Sequence, residues 1–329
     1  MATSRAAPRT PTIPATMKAA ALDRFGPPSV LRLHTLPVPK PGPGQVLIAL
    51  HAAGVGSWDA SIRDCSWQPN GRPKFPLVPG TDGAGTVVAK GPGVRRFRIG
   101  DRVYANEFGC YAEYVAADAD DVGRVPQRLD LRQAGAAATT GLTALQGIDA
   151  LRLRRGQTVL IYGASGAVGT LAVQFAKRKH ARLVATASGR DAMALVRRLG
   201  ADAVIDARRD DAIERLRKLA PDGLDAVLVL AGSDTLEGCL DLVRAGGRVA
   251  YPNGVEPEPR RRPKIHLIAY NGEGGPREFG RLERAVAEAR LRVPIAAVYP
   301  LAQAAKAHAR LERGHILGRI ELQIRRVHS

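Results

Sequence analysis

The segment "VLIYGASGAVGTLAVQFAK", residues 159–177, limits what this chain can fold into more than any other. An apolar, β-rich run over 158–162 ends in small residues and passes at once into an amphipathic helix over 167–179. The turn reads GxGxxG, with Ala164 in the first place and Gly166 and Gly169 in the others, and Gly163 adds a GxxGxxG reading. Small residues let the backbone turn sharply and approach a pyrophosphate, whose charge meets N–H groups at the helix start. Gly163, Ser165, Gly166, Ala167, Val168 and Gly169 are the candidate cradle, with the amides of Ser165 through Val168 as donors. A strand before and a helix after favour a dinucleotide, and a methyl donor is the competing tenant. The P-loop reading fails because no GK[ST] follows.

Strands and helices go on alternating beyond the knot. Strands are expected at 182–186, 203–205, 225–230, 247–251 and 264–270, and helices at 190–199, 211–219 and 234–244. The pattern predicts an α/β fold with a doubly wound parallel Rossmann sheet of about six strands. Residues 18–125 instead show short apolar runs broken by Pro-Gly turns, as in an irregular, mainly antiparallel β domain. From Pro276 the pattern gives a helix with Phe279, Leu282, Val286 and Ala289 at core spacing. A strand (295–299), a helix (301–313) and a last strand (319–324) follow. This tail is expected to return to the first domain. The expected organisation is then 17–135 plus 272–329 as substrate domain and 136–271 as inserted dinucleotide-binding domain, with a cleft between them. Residues 1–16, rich in Pro, Thr and Arg and without an apolar core, are expected to be a disordered arm or an over-called start, with a transit peptide as the distant alternative.

A chain of 329 residues is long enough for two cores. Three cysteines without CxxC or CxxH spacing argue against a disulfide scaffold or a zinc module and suit a reducing cytoplasm. No apolar run is long enough to span a bilayer. The net charge of +18 raises nucleic acid as a partner. The arginines are scattered, however, and their short clusters carry no interleaved aromatics to stack bases.

The end of the second strand bears on which dinucleotide is bound. "LVATASGRD" places Ser188, Gly189 and Arg190 where an NAD enzyme carries an acid for the ribose 2′-hydroxyl. A hydroxyl and a guanidinium there favour a 2′-phosphate, so the sequence predicts NADPH; the alternative reading has Arg190 only starting a helix and pointing to solvent.

"MKAAALDRFGPPSVLRL", "VPKPGPGQVLIALHAAGV", "PLVPGTDGAGTVVAKGPGV", "YAEYV", "GLTALQGI" and "GASGAVG" occur in the order expected of the medium-chain dehydrogenase/reductase superfamily. The chain most resembles its zinc-independent NADPH:quinone oxidoreductase branch, which includes zeta-crystallin, over residues 17–325. The resemblance implies a GroES-like β domain, and a homodimer through the edge strand "PKIHLIAYN" (263–271). It places Thr143, Leu230, Ala231, Gly232, Pro252, Asn253, Gly254 and Arg319 among the cofactor contacts. Where zinc-dependent relatives hold catalytic zinc, this chain has Gly56, Thr81 and Thr139, with Asp82 in the glutamate place; none of the three is an ordinary zinc ligand. The structural-zinc lobe is absent between Val103 and Tyr111.

The implied activity is hydride transfer from NADPH to a quinone or an α,β-unsaturated carbonyl, with an electrophilic small molecule as partner and no metal. An enoyl-thioester reductase, an NADPH-sensing RNA-binding protein and a zinc alcohol dehydrogenase are the rival readings. The loop "GVGSWDASIRDC" departs from the branch, with Gly56 and Ser61 at the places of its asparagine and tyrosine. Ser57, Trp58, Asp59 and Tyr104 are the cleft candidates, Trp58 either as a flat wall for a planar acceptor or as a residue packed into the β domain. Tyr104, Tyr111 and Tyr251 are the hydroxyls available as proton donors, and none stands in a recognisable acid motif.

Overall fold

The computed structural model describes residues 12–67, 71 and 73–325. Of the expected arm 1–16, residues 1–11 lie outside the described residues. Thr16 already opens strand β1 (Thr16–Ala21), antiparallel to β2 (Arg32–Pro37). The chain is ordered this early because Met17 and Ala19 pack in a small core with Leu47 and Tyr114.

The long strand β3 (Gln45–Val55) is apolar along most of its length because it is the spine of a sheet. Gly56 turns it into α1 (Ser57–Asp64). Strands β4 (Asp82–Lys90), β5 (Arg102–Asn106), β6 (Tyr114–Asp118) and β7 (Val122–Arg124) follow, all paired antiparallel. Helix α2 (Leu131–Gly135) is capped by Asp130, whose carboxylate accepts from the Gln133 amide at 2.7 Å. The small-residue helix α3 (Ala138–Ala150) is buried over most of its length.

A parallel sheet comes next: β8 (Thr158–Tyr162), α4 (Ala167–Lys177), β9 (Arg182–Thr186), α5 (Arg190–Leu199), β10 (Ala203–Ile205), α6 (Ala212–Leu219), β11 (Leu224–Val229), α7 (Leu236–Leu240), β12 (Val243–Pro252) and β13 (His266–Tyr270). Its order is β10-β9-β8-β11-β12-β13, so the direction of winding reverses between β8 and β11. Helices cover both faces, which is why Val159, Leu160 and Ile161 can be consecutive and fully buried. Helix α7 is shorter than the expected 234–244. Val243 is claimed by the sheet, pairing with Leu224, and the Gly246–Gly247 turn folds back over it.

Helix α8 (Pro276–Ala289) buries Phe279, Leu282 and Val286. β14 (Ile295–Pro300), α9 (Ala304–Glu312) and β15 (Arg319–Gln323) complete the chain. β15 pairs antiparallel with β3, so β14 and β15 join β3 through β7 in one seven-stranded sheet, while β1 and β2 form a two-stranded sheet of their own. Among the described residues no helix is long and apolar enough to cross a membrane.

Candidate active site

The glycine knot follows β8 directly. Gly163 sits at φ +87°, where a side chain would strain the backbone. Its N–H donates to Thr186 Oγ1 at 2.8 Å, and the Ala164 N–H donates to the Thr186 carbonyl at 3.0 Å. A Cβ on Gly169 would lie 2.7 Å from the Ala164 carbonyl carbon, so only glycine lets α4 pack so closely on the strand. Ala167 and Val168 open α4, and their N–H groups have no carbonyl one turn earlier in the helix. The Gly166 N–H, an expected donor, turns back on the Gly163 carbonyl at 3.4 Å. The bare first turn fits a pyrophosphate. The segment leading into β15 rests on this knot, since Gly318 N–H donates to the Ser165 carbonyl at 2.9 Å and Gly166 forms a bridge with Gly318.

The other strand ends collect along the same edge. The Leu230 amide donates to the Tyr162 carbonyl at 2.9 Å, and a Cβ on Gly163 would lie 3.1 Å from the Ala231 methyl. Gly232 backs onto the Glu256 carbonyl. Pro252 ends β12, and the next two residues are Asn253 and Gly254. Asn253 is held by the Tyr270 carbonyl at 2.9 Å and donates to Asn271 Oδ1 at 2.8 Å. Thr143 donates its hydroxyl to the Thr139 carbonyl at 2.7 Å, and Tyr270 donates to the Thr143 carbonyl at 3.0 Å.

At the end of β9, Ser188 is half-buried and Gly189 and Arg190 are exposed. The expectation of a loop without an acid is corrected here. Gly189 N–H donates to Asp206 Oδ2 at 3.3 Å, and Asp206 directly follows the neighbouring strand β10. Parallel pairing of β10 with β9, Ile205 opposite Thr186, is what brings it there. Reading only the second strand misses it, whereas aligning the ends of adjacent parallel strands would have found it.

The residues matching zinc positions also come together. The Trp58 indole lies across Gly56, where a Cβ would be 2.5 Å from the ring. Its Nε1–H donates to Thr81 Oγ1, and the Arg319 guanidinium stacks on the ring at 4.6 Å. Thr139 Oγ1 lies 3.2 Å from the Thr81 carbonyl and 2.9 Å from Asn106 Oδ1. Asp82 accepts from Thr139 N–H at 2.5 Å and pairs with Arg319, both side chains being essentially inaccessible. Burial pushes the Asp82 carboxyl above its ordinary value, while Arg319 and the Thr139 amide pull it back. One glycine and two hydroxyls already in use do not fit a zinc ion, and no cluster of three or more His, Cys, Asp or Glu suited to a metal occurs among the described residues. Arg319, expected at the cofactor, directs its Nη2 inward to Asp82.

Two cleft candidates are corrected. Tyr104 is fully buried against Phe279 (ring centroids 5.2 Å apart), its hydroxyl finds no hydrogen-bond partner among the described residues, and burial raises its pKa. It is a core residue because β5 lies between β4 and β7 and beneath α8. Asp59 is also fully buried; its Oδ2 accepts from Gly56 N–H at 2.7 Å, closing the start of α1. Burial pushes its carboxyl up to about 7 against the opposing charge of Arg319. Behind it a hydrogen-bonded series crosses the core. Arg63 Nη1 donates to His308 Nδ1 (3.3 Å), which leaves His308 Nε2–H for the Tyr111 oxygen (3.2 Å), and Tyr111 donates to Asp59 Oδ2 (3.2 Å). Burial, then Arg63, lowers His308 to about 3, keeping it neutral. Arg63 is tied outward to Glu312 at 2.6 Å. Tyr111 and Tyr251 are likewise buried, and of the cleft candidates Ser57, Trp58, Asp59 and Tyr104 it is Ser57 that is exposed.

Comparison with known proteins agrees with this architecture. Residues 42–127 match the alcohol dehydrogenase GroES-like domain, and residues 199–321 match the zinc-binding dehydrogenase family. The quinone oxidoreductase of Sus scrofa is 34% identical over 89% of this chain and 93% of its own length. The Escherichia coli quinone oxidoreductase complexed with NADPH superposes with a TM-score of 0.84 at 25% identity, covering 94% of this chain and all of its own. An NAD-dependent alcohol dehydrogenase superposes at 0.86 with 31% identity over 94% of this chain and all of its own. The chain belongs to the medium-chain dehydrogenase/reductase superfamily, in its quinone oxidoreductase branch, and is an NAD(P)-dependent oxidoreductase.

Proposed function

We propose that the protein transfers a hydride from NADPH to a quinone or an α,β-unsaturated carbonyl without zinc. The observation that carries this reading is the seat of Trp58, whose indole fills the space over Gly56 and bonds Thr81 where a metal would need ligands. Without a Lewis acid an alcohol is hard to deprotonate, whereas a quinone or enone is electrophilic already. Bound NADPH supplies the hydride. The first turn of α4 holds the pyrophosphate, and Thr143 with the strand ends 230–232 and 252–254 orients the ring and excludes water. Half-buried Trp58 offers a planar acceptor a flat surface beside Ser57. Tyr104, Tyr111 and Tyr251 are all buried, so the anion left after hydride addition takes its proton from water.

The reading includes a division at 135/136 and 271/272 between substrate and NADPH-binding domains. It includes a homodimer through β13, whose outer edge is unpaired among the described residues. A reducing cytoplasm fits the buried thiols of Cys110 and Cys239. Nucleic acid is not expected, because many arginines are spent in dispersed ion pairs such as Arg178–Glu288, Arg244–Asp225 and Arg281–Asp149.

An NADPH-oxidation screen against quinones, enals, enones and enoyl thioesters tests the activity; turnover with no class contradicts it. Arg190→Ala is expected to raise the KM for NADPH far more than for NADH, and equal effects contradict the cofactor assignment.

A further inference from the structure

The loop after β9 is bordered by two carboxylates, and they are differently occupied. Asp191 is exposed, beside Gly189, with its Oδ1 3.1 Å from where a Cβ on Gly189 would be. Its charge is answered: His315 Nε2 lies 2.9 Å from its Oδ2, and the Ala192 amide donates to its Oδ1 at 2.8 Å. The His315 hydrogen bond, then that amide, hold it below the ordinary carboxylate range.

Among the described residues no cationic side chain bonds Asp206. Its Oδ1 accepts from the Arg208 amide at 3.1 Å and its Oδ2 from the Gly189 amide at 3.3 Å. Burial works to raise its pKa, but the two amides, the Ser188 hydroxyl and the charge of Arg208 outweigh it, and the carboxyl stays below its ordinary value. An ionised acid therefore takes donors from Ser188 and Gly189, the residues offered to the ribose. The neighbouring Arg209 is engaged with Asp211 at 3.0 Å. Arg190 and Arg208 are exposed and supply the positive side of the loop.

We propose that Asp206, supplied by the third strand of the parallel sheet, is a specificity-determining residue that limits the preference for NADPH over NADH. Its carboxylate takes the donors a ribose 2′-phosphate would use, and it accepts from a ribose 2′-hydroxyl. A phosphate brought beside it is repelled, and the Ser188 and Gly189 donors must be surrendered before the phosphate can be bound. The inference rests on the reading of 188–190 as the ribose loop, and it makes the cofactor choice a balance of Arg190 and Arg208 against Asp206.

The test is direct binding. Dissociation constants of NADPH and NADH are measured by nicotinamide fluorescence on the full chain for wild type, Asp206→Asn and Asp206→Glu. Asp206→Asn is expected to raise the ratio Kd(NADH)/Kd(NADPH) about tenfold, by tighter NADPH and weaker NADH, and less at high salt. Asp206→Glu keeps the charge and is expected to stay within about twofold of wild type. An unchanged ratio in Asp206→Asn, or equal shifts for both cofactors, overturns the proposal by reducing Asp206 to a turn residue. If Asp206→Asn does not fold, Asp206→Ser is measured against the same expectation. Failure of the Arg190 assignment is seen separately: Arg190→Ala then leaves the wild-type ratio unmoved whatever Asp206→Asn does.

Discussion

The glycine knot and the Trp58 pocket adjoin through the Gly166–Gly318 bridge, yet they are built by opposite means. The knot is made by seven consecutive residues whose backbone does the work, clasped from outside by Thr186. The pocket is made of side chains from α1, β4, β15 and the start of α3, and its contacts join residues 23, 57, 58 and 237 apart. One is a local device for holding a charged ligand. The other is a long-range assembly of aromatic packing and a buried ion pair around the positions that match zinc ligands. Damage to the pocket should therefore register mostly in stability, and damage to the knot mostly in cofactor binding.

The largest expected effect is on the pocket. Asp82→Asn leaves the Arg319 charge buried without its counter-ion and is expected to cost about 3–5 kcal/mol of stability in urea unfolding. A loss below about 1 kcal/mol, the scale of an exposed pair, would mean that Arg319 reaches water and the pocket is not closed.

Asp59→Asn sharpens the same contrast through pH. The folded-state pKa of Asp59 is raised from 3.8 to about 7, so the folded protein binds this proton more tightly than the unfolded chain does. Its contribution is favourable to the protonated folded form, and stability from this group falls as pH rises from about 4 to 7. Arg319, Asp82, Tyr111 and His308 face it or lie behind it, and they are present in both proteins. The difference in stability between Asp59→Asn and wild type is therefore the quantity to follow. It is expected to shift by about 3 kcal/mol in favour of the variant between pH 4 and 7. A constant difference would show an Asp59 that ionises normally.

Gly169→Val tests the knot. Its side chain collides with the Ala164 backbone and is expected to weaken NADPH about a hundredfold, roughly 2.7 kcal/mol, while α/β circular dichroism is retained. A variant that unfolds while the Asp82 variant stays intact would invert the comparison.

The same contrast governs what the sequence made legible. β8, β9, α5 and β10 fall where periodicity and turn residues predict, because each is set by a local pattern. The cradle glycines are readable for the same reason. Asp59 and Tyr104 were misplaced because their positions depend on partners elsewhere: Tyr111 lies 52 residues from Asp59, and His308 a further 197 on. Tyr104 looks like a cleft hydroxyl until α8 sets Phe279 against its ring. Asp206 was hidden by strand pairing, being unremarkable beside β10 and significant only beside Ser188. Trp58 was visible as a wall, but its role in closing the space over Gly56 required the fold.

The central claim is hydride transfer without a metal in the Trp58 pocket. Its most direct test is NADPH-dependent reduction of a quinone or enone by protein dialysed against a strong chelator, with zinc measured in the same sample. The account predicts full turnover in the absence of stoichiometric zinc and no gain when zinc is added back. Turnover that disappears with the metal and returns with it would contradict the account.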